Sequence, residues 1–291
     1  MKQKYMIVAV WLLICSFIVI IKTEKPVRES IIFFPINQNI RFQTASTVLT
    51  LKEEKRNDYF QVVWKIMSKL QEDAYLRQDI GLLYENGRLK GKMNGWEQNT
   101  DRIVESMIVL GQESSLYQAI SFHYAEIHDN QTDDITSAQT MTNDHLYVID
   151  SNFSPLTSFR EASNNLEEEW EHILDHVTKQ QLQYTWTKGL QIFKINRSDY
   201  IEIPLTSLHT YEHEPFPSFS IEDTQIIIGN IWEGLYKNYF LGIKTKDGVV
   251  DPLNSIVPLI LFPKKGNQLL ILIVTGDQEP FLLKQQLPTS N

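Results

Sequence analysis

The sequence lacks most of the residues and motifs that commonly carry catalysis. Its single cysteine, Cys15, lies inside an apolar run, so the rest of the chain has no thiol for disulfides or thiol chemistry. It contains no G-x-S-x-G elbow, no P-loop and no dinucleotide fingerprint. Carboxylates are plentiful, but their spacing selects no acid–base pair of the glycosidase kind. The sequence therefore favours a non-enzymatic protein and predicts no cofactor.

Positive charge is also scarce. The chain has 27 Lys and Arg against 36 Asp and Glu, which gives a formal net charge of −9. Proteins that bind a phosphate backbone need clustered Lys and Arg, so this balance argues against a nucleic-acid partner. It also argues against docking to anionic lipid through surface charge. A composition of 42% hydrophobic and 22% charged residues is otherwise that of an ordinary folded domain.

One long apolar run is present at the start, from Tyr5 to Ile21, with lysines on both sides. A helix needs about 20 residues to cross a bilayer, with a lower limit near 17. Residues 1–22 are therefore predicted to form an uncleaved transmembrane signal-anchor. The alternative is a cleaved signal peptide, but such peptides have a shorter apolar region and end in small residues. The stretch from Ile18 to Thr23 offers no small pair.

This anchor predicts a single-pass protein of the cell membrane. Long domains translocate largely regardless of flanking charge, and a body without thiols suits an extracytoplasmic compartment. The C-terminal domain is therefore expected outside the membrane, and a cytoplasmic-facing domain on the same anchor is the weaker alternative. A short anchor followed by an acidic domain without cysteine resembles the layout of many bacterial envelope proteins, which assigns no activity.

The body of the chain is predicted to be an α+β fold, with mostly antiparallel sheet packed by three or four amphipathic helices after the transmembrane helix. Residues 23–55 are expected to form a juxtamembrane spacer with a possible edge strand. Residues 56–283 should form the folded domain, with a possible internal boundary near residues 151–165. Residues 284–291 are expected to be a loosely ordered tail.

Helical spacing recurs in four places. Apolar residues at three- and four-residue steps predict helices from Phe60 to about Leu76 and from Thr100 to Leu110. The longest helix should begin at Ser163 or Asn164 and end near Trp186, and a fourth should run from Asn230 to Leu241. The buried stripe of the longest helix is predicted at Leu166, Trp170, Ile173, Leu174 and Val177.

Strands are predicted in three regions. In the middle of the chain they are expected at Leu116–Ile127 and Leu146–Asp150, with a possible third at Ile135–Met141. Asn-Gly between extended segments is typical of a tight hairpin, here at Glu85-Asn86-Gly87. The C-terminal part should be rich in strands, with a hairpin loop from Pro263 to Asn267 joining the last two. The C-terminal strands are expected at Gln191–Ile195, Tyr200–Leu205, Thr224–Ile228, Ile256–Phe262 and Leu269–Thr275.

Two groups of side chains are candidates for binding another component of the cell envelope. One is an aromatic face on the fourth helix, which would mark a partner or ligand site if it were partly exposed and is otherwise core. The other is a row of alternating basic residues after the Asn-Gly turn, either an anion-contacting ribbon or a solvated face. The residues are Trp232, Tyr236, Tyr239 and Phe240 in the first group, and Arg88, Lys90 and Lys92 in the second.

Histidines give the alternative function. His172 and His176 stand four residues apart on the longest helix, and His209 and His213 repeat the spacing. If these four converged on a metal ion, the protein would be a membrane-tethered, metal-assisted hydrolase. However, the first pair should face water, and the Glu that follows the first His of zinc proteases is missing. The sequence therefore predicts no metal site.

Overall fold

The computed structural model describes residues 34–56, 59–128, 134–151, 154–245 and 248–288. The predicted anchor, residues 1–22, lies outside the described residues. Among the helices of the described part, none combines the length and the apolar character needed to span a bilayer.

Almost all of the strands join one antiparallel sheet. Its hydrogen-bonded order is β12-β11-β10-β3-β2-β4-β5-β6, with β1 beside β2 and β7 beside β10, and β8 and β9 form a separate pair. The strands are β1 (Thr44–Arg56), β2 (Tyr59–Glu85), β3 (Arg88–Gly111), β4 (Ser115–His128), β5 (Ile135–Ser151), β6 (Ser154–Phe159), β7 (Tyr200–Pro204), β8 (Ile243–Thr245), β9 (Gly248–Val250), β10 (Ile256–Pro263), β11 (Gln268–Val274) and β12 (Pro280–Gln286).

A long hairpin, β2 and β3, forms the centre of this sheet. Asn86 and Gly87 connect the strands at φ angles of 48° and 78°, so the predicted Asn-Gly turn is confirmed. The pairing of β2 with β3 shifts between Lys69 and Ala74. Before this irregularity β2 also pairs with β1, and after it β2 pairs with β4 instead. One strand of 27 residues therefore supports two neighbours in succession.

Two α-helices are present in the described residues: α1 (Asn165–Ile192) and α2 (Ile221–Leu235). The side chain of Asn164 accepts a hydrogen bond from the amide of Glu167 and caps α1, as predicted. A 3-10 helix covers Leu205–Glu212, and a π-helical turn, Tyr236–Phe240, continues α2.

The predicted α+β fold is wrong, because strands make up 54% of the structure and helices 25%. The predicted helix from Phe60 to Leu76 is part of β2. Residues at even positions from Phe60 to Leu70 are buried, which is the period of a strand. Val63 and Met67 on the other face are apolar and half-buried, so the same run also satisfies helical spacing.

Other boundaries also differ from the sequence-based expectation. The predicted helix from Thr100 to Leu110 is part of β3. The predicted strand at Thr224–Ile228 lies inside α2, which begins at Ile221 rather than Asn230 because Ser220 caps it. The predicted strand at Gln191–Ile195 overlaps the end of α1. The predicted strands β7, β10 and β11 are confirmed, with the hairpin loop between the last two.

The face of α1 that packs differs in part from the predicted stripe: Trp170 and Leu174 pack as predicted, but the other three residues do not. Leu174 packs on aromatic residues of β5 and β6, and Leu182, Trp186 and Leu190 are buried farther along the helix. Trp186 Nε1 donates a hydrogen bond of 2.9 Å to the carbonyl of Val257 in β10. The sheet therefore covers a face that is rotated away from Leu166, Ile173 and Val177, which are exposed.

Close packing at Gly81 gives a stability prediction. A methyl group added there would lie 2.5 Å from the indole carbon Cζ2 of Trp64, which is fully buried. We expect Gly81→Ala to lower the free energy of unfolding by about 1–3 kcal/mol, measured by urea unfolding. Gly234→Ala in α2 is the control, because no atom lies within 4 Å of the added methyl. It should raise stability by about 0.5–1 kcal/mol. Equal effects of both substitutions would contradict this packing.

Candidate functional site

A cleft of about 530 Å³ lies between the segment 36–45, strand β5, the end of the 3-10 helix and the start of α2. We call it the Glu212 cleft. Two backbone hydrogen bonds hold this segment against β5. The amide of Ser137 donates to the carbonyl of Pro35, and the amide of Asn37 donates to the carbonyl of Ser137. Residues that line it include Ile36, Gln38, Arg41, Phe42, Thr142 and Glu212.

Glu212, which ends the 3-10 helix, places a half-buried carboxylate in this cleft. Its oxygens accept hydrogen bonds from the Thr140 hydroxyl at 2.7 Å and from the Met141 amide at 3.2 Å. Burial raises the pKa of Glu212 above its ordinary value, although these two bonds and the nearby His213 and His123 oppose the rise. The carboxylate is therefore fixed in position and only partly solvated.

Side-chain amides make up much of the adjoining wall. Gln38 donates from Nε2 to Gln225 Oε1 at 2.8 Å, and Gln139 donates from Nε2 to the Gln225 carbonyl at 2.6 Å. These bonds connect the segment 36–45 and β5 to α2. Arg41 is exposed at the cleft. The cleft therefore combines a fixed acceptor with polar side chains that suit a hydrogen-bonding ligand.

Beneath the cleft lies a buried polar network. The register of β2 and β4 places Asp79 directly opposite His123, and both side chains are fully buried. His123 Nδ1 lies 2.9 Å from Asp79 Oδ2, a distance of ion-pair length without the alignment of a hydrogen bond. His123 Nε2 lies 2.8 Å from the hydroxyl of Thr142, which faces the cleft. The order hydroxyl, imidazole, carboxylate is that of a catalytic triad.

The hydroxyl hydrogens decide what this triad-like arrangement can do. Thr47 donates its one hydroxyl hydrogen to Ser121 at 2.7 Å. With Thr47 donating there, Thr142 would donate in their 2.6 Å contact, in which either hydroxyl can be the donor. His123 Nε2 would then carry a hydrogen and donate it to Thr142, whereas an imidazole with its only hydrogen on Nδ1, facing Asp79, would accept from Thr142 instead. A general base needs a lone pair at Nε2, so His123 activates Thr142 only in the second arrangement.

The network continues to a buried cation. Ser68 donates to Asp79 Oδ1 at 2.9 Å and accepts a hydrogen bond from Arg77. The Arg77 guanidinium also donates to the Asp101 carbonyl at 2.6 Å and lies 5.1 Å from the ring centroid of Phe42, a residue that lines the cleft. Burial lowers the pKa of Arg77, and the charges of Asp79 and Asp101 oppose this effect. The network therefore ties β1, β2, β4 and β5 together.

The structure places the four predicted aromatic residues in the core. Trp232 is 1% exposed and stacks on Phe122 with ring centroids 5.3 Å apart. Tyr236 and Phe240 stack on one another within the π-helical turn, and the Tyr239 hydroxyl lies 2.6 Å from that of Ser255. These side chains do not form an exposed contact surface, because all four are buried within the fold.

The basic row on β3 contacts other parts of the protein. Arg88 donates to the Asn254 carbonyl at 3.4 Å. Lys90 forms a 2.7 Å ion pair with Glu85. Lys92 donates to the Phe240 carbonyl at 3.0 Å and lies 3.6 Å from Asp251. All three cations are therefore engaged within the fold, and whether they also bind an anion stays a prediction.

The two histidine pairs do not share a cavity in the described part of the chain. The rings of His172 and His176 stack along α1 with centroids 6.3 Å apart, whereas His213 lines the Glu212 cleft. His209 Nδ1 lies 3.0 Å from the Thr206 carbonyl, and burial lowers the pKa of His209. Over residues 34–288, apart from the gaps, no group of three or more His, Cys, Asp or Glu side chains is placed to hold a metal ion.

Sequence reasoning missed both the Glu212 cleft and the network beneath it. The signal that could have found the network is polar residues at inward-facing positions of strand patterns, such as Ser68, Asp79 and His123. Buried polar groups are usually hydrogen-bonded to one another, so such positions predict a network once the strands are assigned. No comparable signal marks Glu212, because its partners in β5 are about 70 residues earlier in the chain.

Comparisons with known proteins provide no family. No protein-family model matches the chain, and no curated protein matches it. Among solved structures, the chain is similar to a crystal structure described as a "putative lipoprotein (ycdA)" from Bacillus subtilis. The identity is 11%, the match covers 80% of this chain and 69% of that chain, and the TM-score is 0.16. At this TM-score the similarity supports no conclusion about fold or function.

Proposed function

We propose that the protein is a single-pass, membrane-anchored extracytoplasmic protein whose folded domain binds a component of the cell envelope without catalysis. Its ligand is a molecule that carries an amine, bound in the Glu212 cleft. The observation that carries this proposal is the half-buried Glu212 carboxylate, fixed by Thr140 and Met141 inside a cleft lined by amide side chains.

An amine matches this site for two reasons. Glu212 is partly desolvated, so its ionised form gains from a cation that approaches it more than an exposed carboxylate would. Each carboxylate oxygen accepts one hydrogen bond from the protein and keeps capacity for another. Gln38 and the exposed Arg41 line the same cleft and offer hydrogen bonds to polar groups elsewhere on the ligand.

The hydrogen bonds donated by the side chains beneath the cleft favour binding over hydrolysis. A hydrolase that used Thr142 would need an accepting nitrogen on His123, and the hydrogen bond that Thr47 donates to Ser121 favours the arrangement in which that nitrogen donates. The metal-assisted alternative would need the histidine pairs to converge, but His172 and His176 line one cavity and His213 lines another. Neither version of the membrane-tethered hydrolase is therefore favoured by these contacts.

Thermal unfolding of the full-length protein with a panel of amines, amino acids and short peptides tests the ligand. A ligand at about 100 times its Kd adds about 2.7 kcal/mol of stability, which should raise the Tm by roughly 5–10 °C. The same compound should leave the Tm of Glu212→Gln nearly unchanged. A compound that shifts both proteins equally, or a panel without any shift, would contradict the proposal.

Protease treatment of intact cells tests the anchor and its orientation. With a tag at Asn291, external protease should remove the tag while the cells remain sealed. Protection of the tag until lysis would reverse the orientation. Recovery of a freely released protein that begins after Lys22 would contradict the predicted uncleaved anchor.

The raised pKa of Glu212 gives a prediction on stability and pH. The folded state holds the Glu212 proton more tightly than the unfolded chain does. Proton binding at Glu212 therefore adds to the free energy of unfolding below the unfolded pKa, and this stabilisation is lost as pH rises through the folded pKa. Glutamine has no such proton. In urea unfolding, the free energy of unfolding of Glu212→Gln minus that of wild type should therefore be larger at pH 7 than at pH 4. A difference between the two proteins that does not change with pH would contradict a raised pKa.

A further inference from the structure

Helix α1 exposes a narrow apolar stripe, which we call the α1 seam. It consists of Leu166, Ile173, Val177 and Tyr184, whose side chains are between 41% and 60% exposed. Their steps of seven, four and seven residues place all four within about 40° of the helix circumference, at ~100° per residue. Spacing of this kind forms the contact line of paired helices.

The α1 seam is separate from the face by which the helix packs on its own sheet. That face carries Leu174, Leu182, Trp186 and Leu190, all of which are at least 93% buried. The helix therefore has two apolar surfaces, and only one of them is covered in the described part of the chain. Exposed contiguous apolar surface on a folded protein commonly marks an interaction site.

The order of residues along the α1 seam is self-complementary. The four residues are symmetric about position 175, because Leu166 and Tyr184 lie nine residues from it and Ile173 and Val177 lie two residues from it. Two copies of α1 that run antiparallel therefore place Leu166 of each against Tyr184 of the other. In the same register Ile173 meets Val177. No residue of the seam lacks an apolar counterpart.

The charge along α1 favours the same arrangement. Residues 165–175 contain five acidic side chains and no Lys or Arg, whereas residues 176–192 contain Lys179 and Lys188 and no acidic side chain. Antiparallel pairing brings the acidic half of one helix beside the basic half of the other. Parallel pairing would instead bring the two acidic halves together, and like charges across an interface disfavour it.

We infer that the α1 seam binds a second copy of this chain, in an antiparallel, two-fold symmetric helix pair. Such an interface uses the same surface on both copies, and the symmetric sequence and divided charge of α1 fit this requirement. The contact spans about 27 Å, from Leu166 to Tyr184, at ~1.5 Å per residue. An unrelated partner would not require the seam to be symmetric.

Sedimentation velocity of the full-length protein in detergent, as a function of concentration, tests this dimer. We expect a dimer for wild type and a dimer dissociation constant raised on the order of 100-fold for Val177→Glu, because each substitution occurs twice in the interface. Val249→Glu is the control, since Val249 is 51% exposed and lies outside α1. A monomeric wild type, or a dimer that Val177→Glu leaves unchanged, would overturn the inference.

Cysteine cross-linking in a Cys15→Ser background tests the orientation. Oxidation of a mixture of Leu166→Cys and Tyr184→Cys proteins should form the mixed disulfide. Leu166→Cys alone should not cross-link, because its two copies lie at opposite ends of the contact. Cross-linking of Leu166→Cys with itself would show a parallel pair and would overturn the antiparallel arrangement. If the protein sediments as a dimer but forms no mixed disulfide, the dimer interface lies outside the α1 seam, and the inference is overturned as well.

Discussion

Replacing Asp79 with alanine should lower the free energy of unfolding by about 3–5 kcal/mol, the effect expected when one partner of a buried charge pair is removed. Asp79 is fully buried, accepts a hydrogen bond from Ser68 and faces His123 at 2.9 Å. Its loss would also remove the carboxylate whose charge most opposes the lowering of the Arg77 pKa by burial. Urea unfolding monitored by circular dichroism measures the change.

Asp73→Ala is the matched control, because Asp73 lies in the same strand and is exposed. Exposed substitutions of this kind usually change stability by about 0.5 kcal/mol or less. If Asp79→Ala were as mild as Asp73→Ala, the network beneath the Glu212 cleft would not hold β2 and β4 together.

Trp232→Ala should lower the free energy of unfolding by about 3–5 kcal/mol, as is usual for truncation of a buried aromatic residue. The indole is 1% exposed, stacks on Phe122 of β4 and lies with Nε1 3.3 Å from the sulfur of Met141 in β5. Removing it would open a cavity between α2 and the sheet. Urea unfolding at pH 7 measures the loss.

Trp96→Ala is the control for this substitution, because Trp96 is 43% exposed. It should cost about 1 kcal/mol or less. The alternative interpretation of Trp232 as part of a contact surface makes the opposite prediction. If Trp232→Ala kept full stability but lost binding to an envelope component, Trp232 would belong to a contact surface and its assignment to the core would be wrong.

The sequence supports predictions best where one local rule acts alone. The Asn-Gly turn, the capped start of α1 and the strands β10 and β11 follow from residues that are adjacent in the chain. The part of β2 from Phe60 to about Leu76 reads as helical because it has apolar residues on both faces, which satisfies two periods at once. Its identity is decided by pairing with β1, β3 and β4, which a local pattern does not contain.

The candidate site was less predictable than the fold because its residues meet only through the sheet register. Asp79 and His123 lie opposite one another in β2 and β4, and Thr142 reaches them from β5. Glu212 meets β5 from a 3-10 helix 71 residues later in the chain than Met141. The aromatic row of Trp232, by contrast, was correctly seen to share one helical face, but whether that face is covered depends on the tertiary fold.

The preference for binding over hydrolysis depends on the hydrogen carried by His123, so the most direct test of it is NMR of the imidazole nitrogens in protein with ¹⁵N-labelled histidine. Seven histidines are present, and the His123 signals can be assigned by their loss in His123→Gln. We predict that Nε2 of His123 carries a hydrogen, as the donor to Thr142. An unprotonated Nε2 facing Thr142 would contradict this prediction, because it would give the Thr142 hydroxyl a general base and support the hydrolase instead.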